Sequence, residues 1–219
     1  MVFRDRREAG RLLAERLAGF REASPVVLGL PRGGVPVAFE IAQGLRAPLD
    51  VLLVRKVGVP SQPELALGAV SDGADPEIFI DQQLKAHFDI DDHYVAEACE
   101  REIAEIDRRR AAFRGNLEPL PVEGRVAIVV DDGIATGATT RVALRALRRR
   151  KPSRTILAVP VAPRDSLDAL HGEADEIVCL ETPEDMGAVG FYYQDFRQTT
   201  DREVQELLAR SRQDRARRT

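Results

Sequence analysis

The chain has 219 residues, of which 44% are hydrophobic and 31% charged, a balance that fits one globular domain with an appendage and excludes a disordered or fibrous chain. Its formal net charge of −4 provides no overall basic field, so a nucleic-acid partner is not expected. No apolar run approaches the length of a membrane span, and the charged first residues contain no apolar signal core. We therefore expect a cytoplasmic protein without a membrane partner, whose two cysteines are free thiols.

Short apolar runs alternate with amphipathic helices along the chain, which predicts an α/β fold with a mostly parallel sheet covered on both faces. Residues 25–30 (PVVLGL) predict a buried strand, and residues 35–45 predict a helix with one apolar stripe. The glycines at 33 and 34 separate the two. The chain thus begins its regular structure with a strand, a glycine turn and a helix.

The next segment is predicted to contain three strands and one loop. Residues 49–54 predict a strand, and residues 64–80 predict two more around the turn Asp72-Gly73. Between the first strand and the other two, residues 58–63 (GVPSQP) have the composition of a mobile loop.

A long helix precedes a second strand, glycine turn and helix. Residues 91–113 predict the long helix, with Gly115 as its stop signal and residues 108–110 as a solvated basic cap. Residues 125–130 (RVAIVV) predict a strand buried on both faces. The glycine turn that follows leads into a helix that ends at the basic run before Pro152.

The last part of the chain is predicted to hold two strands and two helices. Residues 156–161 and 176–180 predict the strands, and residues 165–170 a short helix between them. Residues 201–210 predict a closing helix capped by Thr200 or Asp201. A solvated, fraying tail is the favoured interpretation of the final arginines, and phosphate contact is the alternative. These arginines are Arg210, Arg212, Arg215, Arg217 and Arg218.

Both glycine turns lie where a parallel sheet binds its ligands, beyond the carboxyl ends of strands and before helix N-termini. Unpaired N–H groups at a helix N-terminus bind anions, and glycine lets the backbone approach them, so each turn suits a phosphate. The second turn begins with Asp131 and Asp132, whose adjacent carboxylates suit vicinal hydroxyls or magnesium rather than phosphate. Two phosphate sites around a diol and a magnesium ion describe phosphoribosyl pyrophosphate.

Residues 126–140, VAIVVDDGIATGATT, resemble the phosphoribosyl pyrophosphate motif of type I phosphoribosyltransferases. The motif consists of an apolar strand, two acids, two variable residues and a small-Thr-Gly-x-Thr loop. The resemblance implies the type I phosphoribosyltransferase fold, a central, mainly parallel sheet flanked by helices, with a small hood. It implies that Asp131 and Asp132 hold the ribose hydroxyls and the cofactor Mg²⁺ and serve catalysis. The implied 5′-phosphate site comprises Ala135, Thr136, Gly137, Ala138 and Thr139.

The first glycine turn is similar to the family's pyrophosphate loop, so pyrophosphate contacts are implied for Arg32, Gly33 and Gly34. A simple turn is the alternative. Residues 54–60 (VRKVGVP) resemble the basic strand end that introduces the family's flexible loop. Lys56 is the candidate for a further pyrophosphate contact there, against a solvated lysine as the alternative.

Three residues are candidates for contacts with the base. Glu64, at the end of the predicted loop, is placed to exchange a proton with the base, although an exposed loop glutamate more often has no role. Phe191 and Tyr192 are candidates for stacking on the base, with ordinary hood packing as the alternative. Ala135 stands where the family's 6-oxopurine enzymes have an aspartate, which argues against hypoxanthine or guanine.

The resemblance spans roughly residues 24–182 of what we expect to be one domain, 1–219. Residues 81–116 are a helical insertion that forms an interface or covers the site, and residues 183–219 form the hood and closing helix. The implied enzyme is a phosphoribosyltransferase, a pentosyltransferase among the glycosyltransferases of nucleotide metabolism. It transfers ribose 5-phosphate between phosphoribosyl pyrophosphate and a nitrogenous base or related amine, with release of pyrophosphate. The oligomeric state is left open, with a homodimer as one candidate.

Two other functions of this ligand site remain open. Members of the fold also act as regulators that sense phosphoribosyl pyrophosphate and bind nucleic acid, which the acidic balance disfavours. The same loops could instead support phosphorolysis or hydrolysis of pyrophosphate. Nucleoside triphosphate and dinucleotide sites of the usual kinds are not expected, because the chain has neither a Gly-Lys-Ser/Thr loop nor Gly-x-Gly-x-x-Gly. A zinc site is not expected either, because the histidines lack the spacing of zinc ligands.

Overall fold

The computed structural model describes residues 2–72 and 77–217, which form two sheets and their covering helices. The strands are β1 (Val26–Gly29), β2 (Leu49–Val51), β3 (Val54–Val59), β4 (Gln62–Ser71), β5 (Glu77–Ile80), β6 (Val126–Val130), β7 (Arg154–Val161) and β8 (Glu176–Glu181). The α-helices are α1 (Arg6–Arg16), α2 (Gly34–Leu45), α3 (Gln82–His87), α4 (Asp92–Arg114), α5 (Ala138–Arg149), α6 (Arg164–Asp168) and α7 (Asp201–Ala216). Short 3₁₀ helices cover Ala18–Ala23 and Val189–Tyr192.

The main sheet has five parallel strands in the order β2, β1, β6, β7, β8, which confirms the predicted α/β architecture. Successive side chains of a strand face opposite sides, and β1 shows the consequence. Val27 packs in the apolar cluster that contains Ile41 of α2, and Leu28 packs in the cluster that contains Leu144 of α5. The sheet is therefore covered on both faces, and its central strands β1 and β6 are apolar for that reason.

The second sheet is antiparallel, with the order β3, β4, β5. It corrects the predicted loop over 58–63, because β3 continues to Val59 and β4 begins at Gln62, which leaves only a tight turn between them. Val57 and Val59 are buried, which favours continued pairing of β3 with β4 up to Val59. The pairing register shifts on both sides of Gly58, as it does at a β-bulge. The strand predicted over 49–54 is likewise divided between β2 and β3.

The helical insertion contains α3 and α4, which begin at side-chain caps from Asp81 and Asp91. Gly115 ends α4 as predicted. The basic run 108–110 is not simply solvated, since each of its arginines pairs with a carboxylate. Arg110 extends a buried ion cluster in which Arg114 contacts both Asp50 and Asp72. The predicted turn at Asp72-Gly73 lies partly outside the described residues.

The closing helix α7 is longer than predicted and runs to Ala216. Thr200 caps it in a capping box with Glu203. Its apolar residues Val204, Leu207 and Leu208 are buried where α7 meets α2 and α4. This packing holds the last turns in place, so three of the arginines expected in a fraying tail are helical: Arg210, Arg212 and Arg215. Arg217 follows as the C-cap, and Arg218 lies outside the described residues.

The sequence offered no prediction for the first helix, α1, which packs along α2. Gly10 permits this approach, because a Cβ atom there would lie 2.6 Å from the carbonyl oxygen of Val37. Both cysteines are free thiols, as expected. Over residues 2–72 and 77–217, the helices are all too short or too polar to cross a membrane.

Candidate functional site

The two glycine turns lie side by side at the carboxyl ends of two inner strands of the main sheet. Each follows one of the neighbouring parallel strands β1 and β6, whose ends pair Gly29 with Val130. A Cβ atom on Gly34 would lie 2.5 Å from the carbonyl oxygen of Val130, so only glycine fits against β6 there. The peptide bond between Pro31 and Arg32 is cis. The first turn therefore packs directly on the start of the second.

Asp131 and Asp132 stand at the end of β6, and their backbone and side chains interact. The backbone N–H of Asp132 donates to Oδ1 of Asp131 at 2.9 Å. Burial, followed by the neighbouring charge of Asp132, raises the pKa of Asp131 well above its ordinary value. A hydroxyl donor from a ligand would relieve this unfavourable pairing of two acids, so the pair suits a diol.

Arg6, on α1, forms an ion pair with Asp132 of this acidic pair. Its Nε lies 2.7 Å from Oδ2 of Asp132, and the two side chains are only 11% and 16% exposed. The guanidinium lies over the ring of Phe196, with Cζ 4.0 Å from the ring centroid, and Nη1 donates to the carbonyl of Arg197 at 2.8 Å. Sequence reasoning missed Arg6, because it sits among other charged residues of the N-terminal segment and belongs to no motif.

Tyr193 contacts the same aspartate from the segment after β8. Its hydroxyl donates to the backbone carbonyl of Asp132 at 2.6 Å, and its ring stacks on Phe196 with centroids 5.0 Å apart. Burial raises the pKa of Tyr193, so its hydroxyl remains a donor. Phe3 pairs with this segment through backbone hydrogen bonds to Tyr192 and Gln194. The N-terminal segment and the residues after β8 thus form one wall beside Asp132.

The two aromatic candidates for base stacking lie in the 3₁₀ helix of this wall. Phe191 is 75% exposed, and Tyr192 is partly buried against Phe3 and Tyr193. The neighbouring Val189 lies close to the second turn, since a Cβ atom on Gly133 would be 2.4 Å from its Cγ1. The 3₁₀ helix that carries Phe191 therefore contacts the second turn through Val189.

The predicted 5′-phosphate loop, residues 135–139, ends at the N-terminus of α5. Gly137 is the N-cap of that helix with a positive φ of 75°, which explains a glycine at this position. Ser166 of α6 holds the loop by donating its hydroxyl to the carbonyl of Ala135 at 2.7 Å. The loop is thus held by α6, and it leads into a helix N-terminus, where anions commonly bind.

The remaining predicted residues are Arg32, Lys56 and Glu64. Nη1 of Arg32 is 3.3 Å from Oδ1 of Asp201, the first residue of α7, so this side chain is directed at α7. Lys56 lies on β3 and lines a cavity of about 330 Å³ whose other walls come from β4 and α4. Glu64 belongs to β4, and the role predicted for its side chain lies outside what the structure describes.

The donor set at the acidic pair can be compared with the needs of magnesium. Within the described ranges, no three or more histidine, cysteine or acidic side chains gather as a metal site. Magnesium is commonly held by one or two carboxylates, with phosphates and water completing its oxygen ligands. Asp131 and Asp132 therefore fit a magnesium ion that is carried mainly by the phosphates of a ligand.

Comparison with known proteins agrees with this architecture. Residues 5–195 match the family model described as phosphoribosyl transferase domain. Two Mycobacterium tuberculosis proteins, from strains CDC 1551 and H37Rv, are each 48% identical over 214 residues, and each bears the name "Putative phosphoribosyl transferase". The match covers 97% of this chain and 48% of each relative, so the chain spans about half the length of these curated relatives.

Solved structures show the same fold. The crystal structure of TT1426 from Thermus thermophilus has a TM-score of 0.88 and 43% identity over 96% of this chain and 99% of that one. The structure of AQ2163 from Aquifex aeolicus, at 14% identity, has a TM-score of 0.50 over 84% of this chain and 78% of that one. From the family match over residues 5–195 and these likenesses, we conclude that the chain belongs to the phosphoribosyltransferase family and has the type I phosphoribosyltransferase fold.

Proposed function

We propose that the protein is a phosphoribosyltransferase that transfers ribose 5-phosphate between phosphoribosyl pyrophosphate and a nitrogenous base, with release of pyrophosphate. One observation carries the proposal: Gly33 of the first turn packs against Asp132 of the second, so a glycine turn and a carboxylate pair meet at the carboxyl ends of β1 and β6. The helix N-terminus of α5 follows the same acidic pair within six residues along the chain. A ligand with a diol between two phosphate groups matches this order of groups.

The ligand's parts can be assigned to residues in that order. Residues 135–139 would hold the 5′-phosphate at the N-terminus of α5, where backbone N–H groups and the helix dipole favour an anion. Asp131 and Asp132 would accept hydrogen bonds from the ribose hydroxyls. The backbone of Gly33 and Gly34 would approach the pyrophosphate, which the absence of side chains allows.

Catalysis would then rest on positioning and on stabilising charge. The chain holds the sugar between the two turns, and its carboxylates lie where they would favour a sugar ring that becomes cationic as pyrophosphate departs. Magnesium, when bound, would neutralise part of the negative charge on pyrophosphate. Lys56 is proposed to reach the same phosphates, and Glu64 to exchange a proton with the base. Phe191 and Tyr192 are proposed to stack on that base.

The relatives support the class of reaction but not the base. The Mycobacterium tuberculosis proteins carry a phosphoribosyl transferase name, and the chain matches only 48% of their length. We therefore propose the reaction for this chain and leave the acceptor as a nitrogenous base or related amine. A cytoplasmic location and a place in nucleotide metabolism belong to the same proposal.

The test is pyrophosphate release from phosphoribosyl pyrophosphate and magnesium, with adenine, guanine, hypoxanthine and uracil added in turn. We expect release with one class of base, lost in Asp131→Asn/Asp132→Asn and retained in Asp168→Asn, an exposed aspartate of α6. Release without any base would instead indicate hydrolysis. Binding without release, together with salt-sensitive binding of DNA or RNA, would contradict the transferase and favour a regulator.

A further inference from the structure

The pyrophosphate end of the proposed ligand needs a cation, and two arginines are near the first glycine turn. Arg32 belongs to the turn itself, but its guanidinium pairs with Asp201 at the start of α7, at 3.3 Å. Both side chains of that pair are about one third exposed. The arginine that sequence analysis assigned to pyrophosphate therefore pairs with a carboxylate of α7 in this structure, and not with the acidic pair.

Arg6 lies on the side of the turn that faces the acidic pair. Its Nε contacts Oδ2 of Asp132 at 2.7 Å. A Cβ atom on Gly33 would lie 2.0 Å from that same Oδ2 atom. Because one carboxylate oxygen touches both residues, the guanidinium of Arg6 lies beside the backbone of the first glycine turn.

The guanidinium of Arg6 is already held in place. The ring of Phe196 lies under it, and its Nη1 donates to the carbonyl of Arg197 at 2.8 Å. Its Nη2 has no acceptor within residues 2–72 and 77–217. A preorganised and largely buried arginine loses little side-chain entropy when it binds an anion, and its charge is weakly screened there.

We propose that Arg6 provides the guanidinium that binds the pyrophosphate group of phosphoribosyl pyrophosphate, an assignment that rests on the function proposed above. The ribose hydroxyls would donate to Asp132 and replace Nε of Arg6 at its carboxylate. Nε and Nη2 together then present the paired donors that bind two oxygens of a phosphate. The N-terminal helix α1 thus contributes a ligand contact to a site otherwise built from β1 and β6.

The experiment measures the affinity of two ligands by calorimetry: magnesium phosphoribosyl pyrophosphate, which carries both the ribose hydroxyls and the pyrophosphate, and ribose 5-phosphate, which has no pyrophosphate. We expect Arg6→Gln to weaken phosphoribosyl pyrophosphate by about tenfold or more and to leave ribose 5-phosphate within about twofold, because only the first ligand has the pyrophosphate group that Arg6 binds. Arg7→Gln is the matched control, since Arg7 is the next residue and pairs with Glu40 on α2. It should bind both ligands as the wild type does.

The variant Arg32→Gln decides between the two arginines, and we expect it to lose less affinity for phosphoribosyl pyrophosphate than Arg6→Gln. Equal affinity for phosphoribosyl pyrophosphate in Arg6→Gln and wild type, or a larger loss in Arg32→Gln, would overturn the assignment. If Arg6→Gln fails to fold, Arg6→Lys keeps the charge without the paired donors and should still lose affinity for phosphoribosyl pyrophosphate. A wild type that binds neither ligand would refute the proposed function itself, and the assignment with it.

Discussion

Gly33 and Asp132 are in direct contact, although the chain places them about a hundred residues apart. A Cβ atom on Gly33 would lie 2.0 Å from Oδ2 of Asp132, well inside any permitted contact. The backbone of Gly33 itself is in the ordinary helical region, with φ of −61°, so the need for glycine here is one of space and not of conformation. The carboxylate thus fixes the distance between the two turns.

Replacing Gly33 by alanine should therefore push the turns apart. We expect Gly33→Ala to lose about 1–3 kcal/mol of unfolding free energy, the usual cost of overpacking, and to bind phosphoribosyl pyrophosphate more weakly. Urea denaturation and calorimetry measure the two effects. Gly19→Ala is the control, because a Cβ atom there has no neighbour within 4 Å. Unchanged ligand affinity in Gly33→Ala would contradict the arrangement.

The hydroxyl of Tyr193 donates to the backbone of Asp132, so its removal should destabilise the protein in a pH-dependent way. Tyr193→Phe should cost about 1 kcal/mol at neutral pH, the net value of one hydrogen bond. Burial raises the pKa of Tyr193 above the ordinary value of 10.0, so the hydroxyl's contribution is complete below that pH and is lost as the pH rises above it.

Stability curves at neutral pH and above pH 10 test this prediction. The wild type should lose more stability than Tyr193→Phe over that interval, because the unfolded tyrosine ionises and the native one does not. Parallel losses in the two proteins would show that Tyr193 ionises as readily in the folded protein as in the unfolded chain.

The buried ion cluster should be sensitive to loss of its cation. Arg114 donates from Nε to Asp50 at 2.7 Å and also contacts Asp72, and all three side chains are buried. Arg114→Met would leave two buried carboxylates without this partner and should cost about 3–5 kcal/mol. Chemical denaturation measures the change, with Arg202→Met as the control, because Arg202 is 86% exposed. A loss as small as that of the control would contradict a structural role.

The hairpin of β3 and β4 is attached to the insertion by Tyr94, whose hydroxyl donates to the carbonyl of Gly58 at 3.0 Å. Tyr94→Phe should therefore open the hairpin more often and raise amide hydrogen exchange over residues 54–63. Exchange in β6 should stay unchanged and serves as the internal control. Equal exchange in the hairpin of both proteins would show that other contacts hold it.

The two units of strand, glycine turn and helix could be predicted because their signals are local. Apolar runs define β1 and β6, and glycines mark where each strand turns into α2 or α5. Residues 58–63 of the β3–β4 hairpin are predicted as a loop because their glycine and prolines favour turns, whereas burial of Val57 and Val59 decides the pairing. Burial depends on α4, which the local sequence cannot show.

The side-chain contacts of the site were the least predictable part. Arg6 reaches Asp132 across 126 positions of sequence, from a segment with no motif. Arg32 belongs to the glycine turn, yet its direction is set by Asp201, which α7 brings into contact with it. Both contacts depend on helices that are distant in the sequence. A local pattern could therefore identify the two glycine turns, but not the arginine that contacts Asp132.

The central claim is that the acidic pair and the two turns form one site for phosphoribosyl pyrophosphate. Calorimetric titration of magnesium phosphoribosyl pyrophosphate into the wild type and into Asp131→Asn/Asp132→Asn tests it most directly. We predict saturable binding of one ligand per chain in the wild type and a loss of about tenfold or more in the variant, because the ribose hydroxyls lose their charged acceptors. Equal affinity in the two proteins, or no binding to the wild type, would contradict the claim.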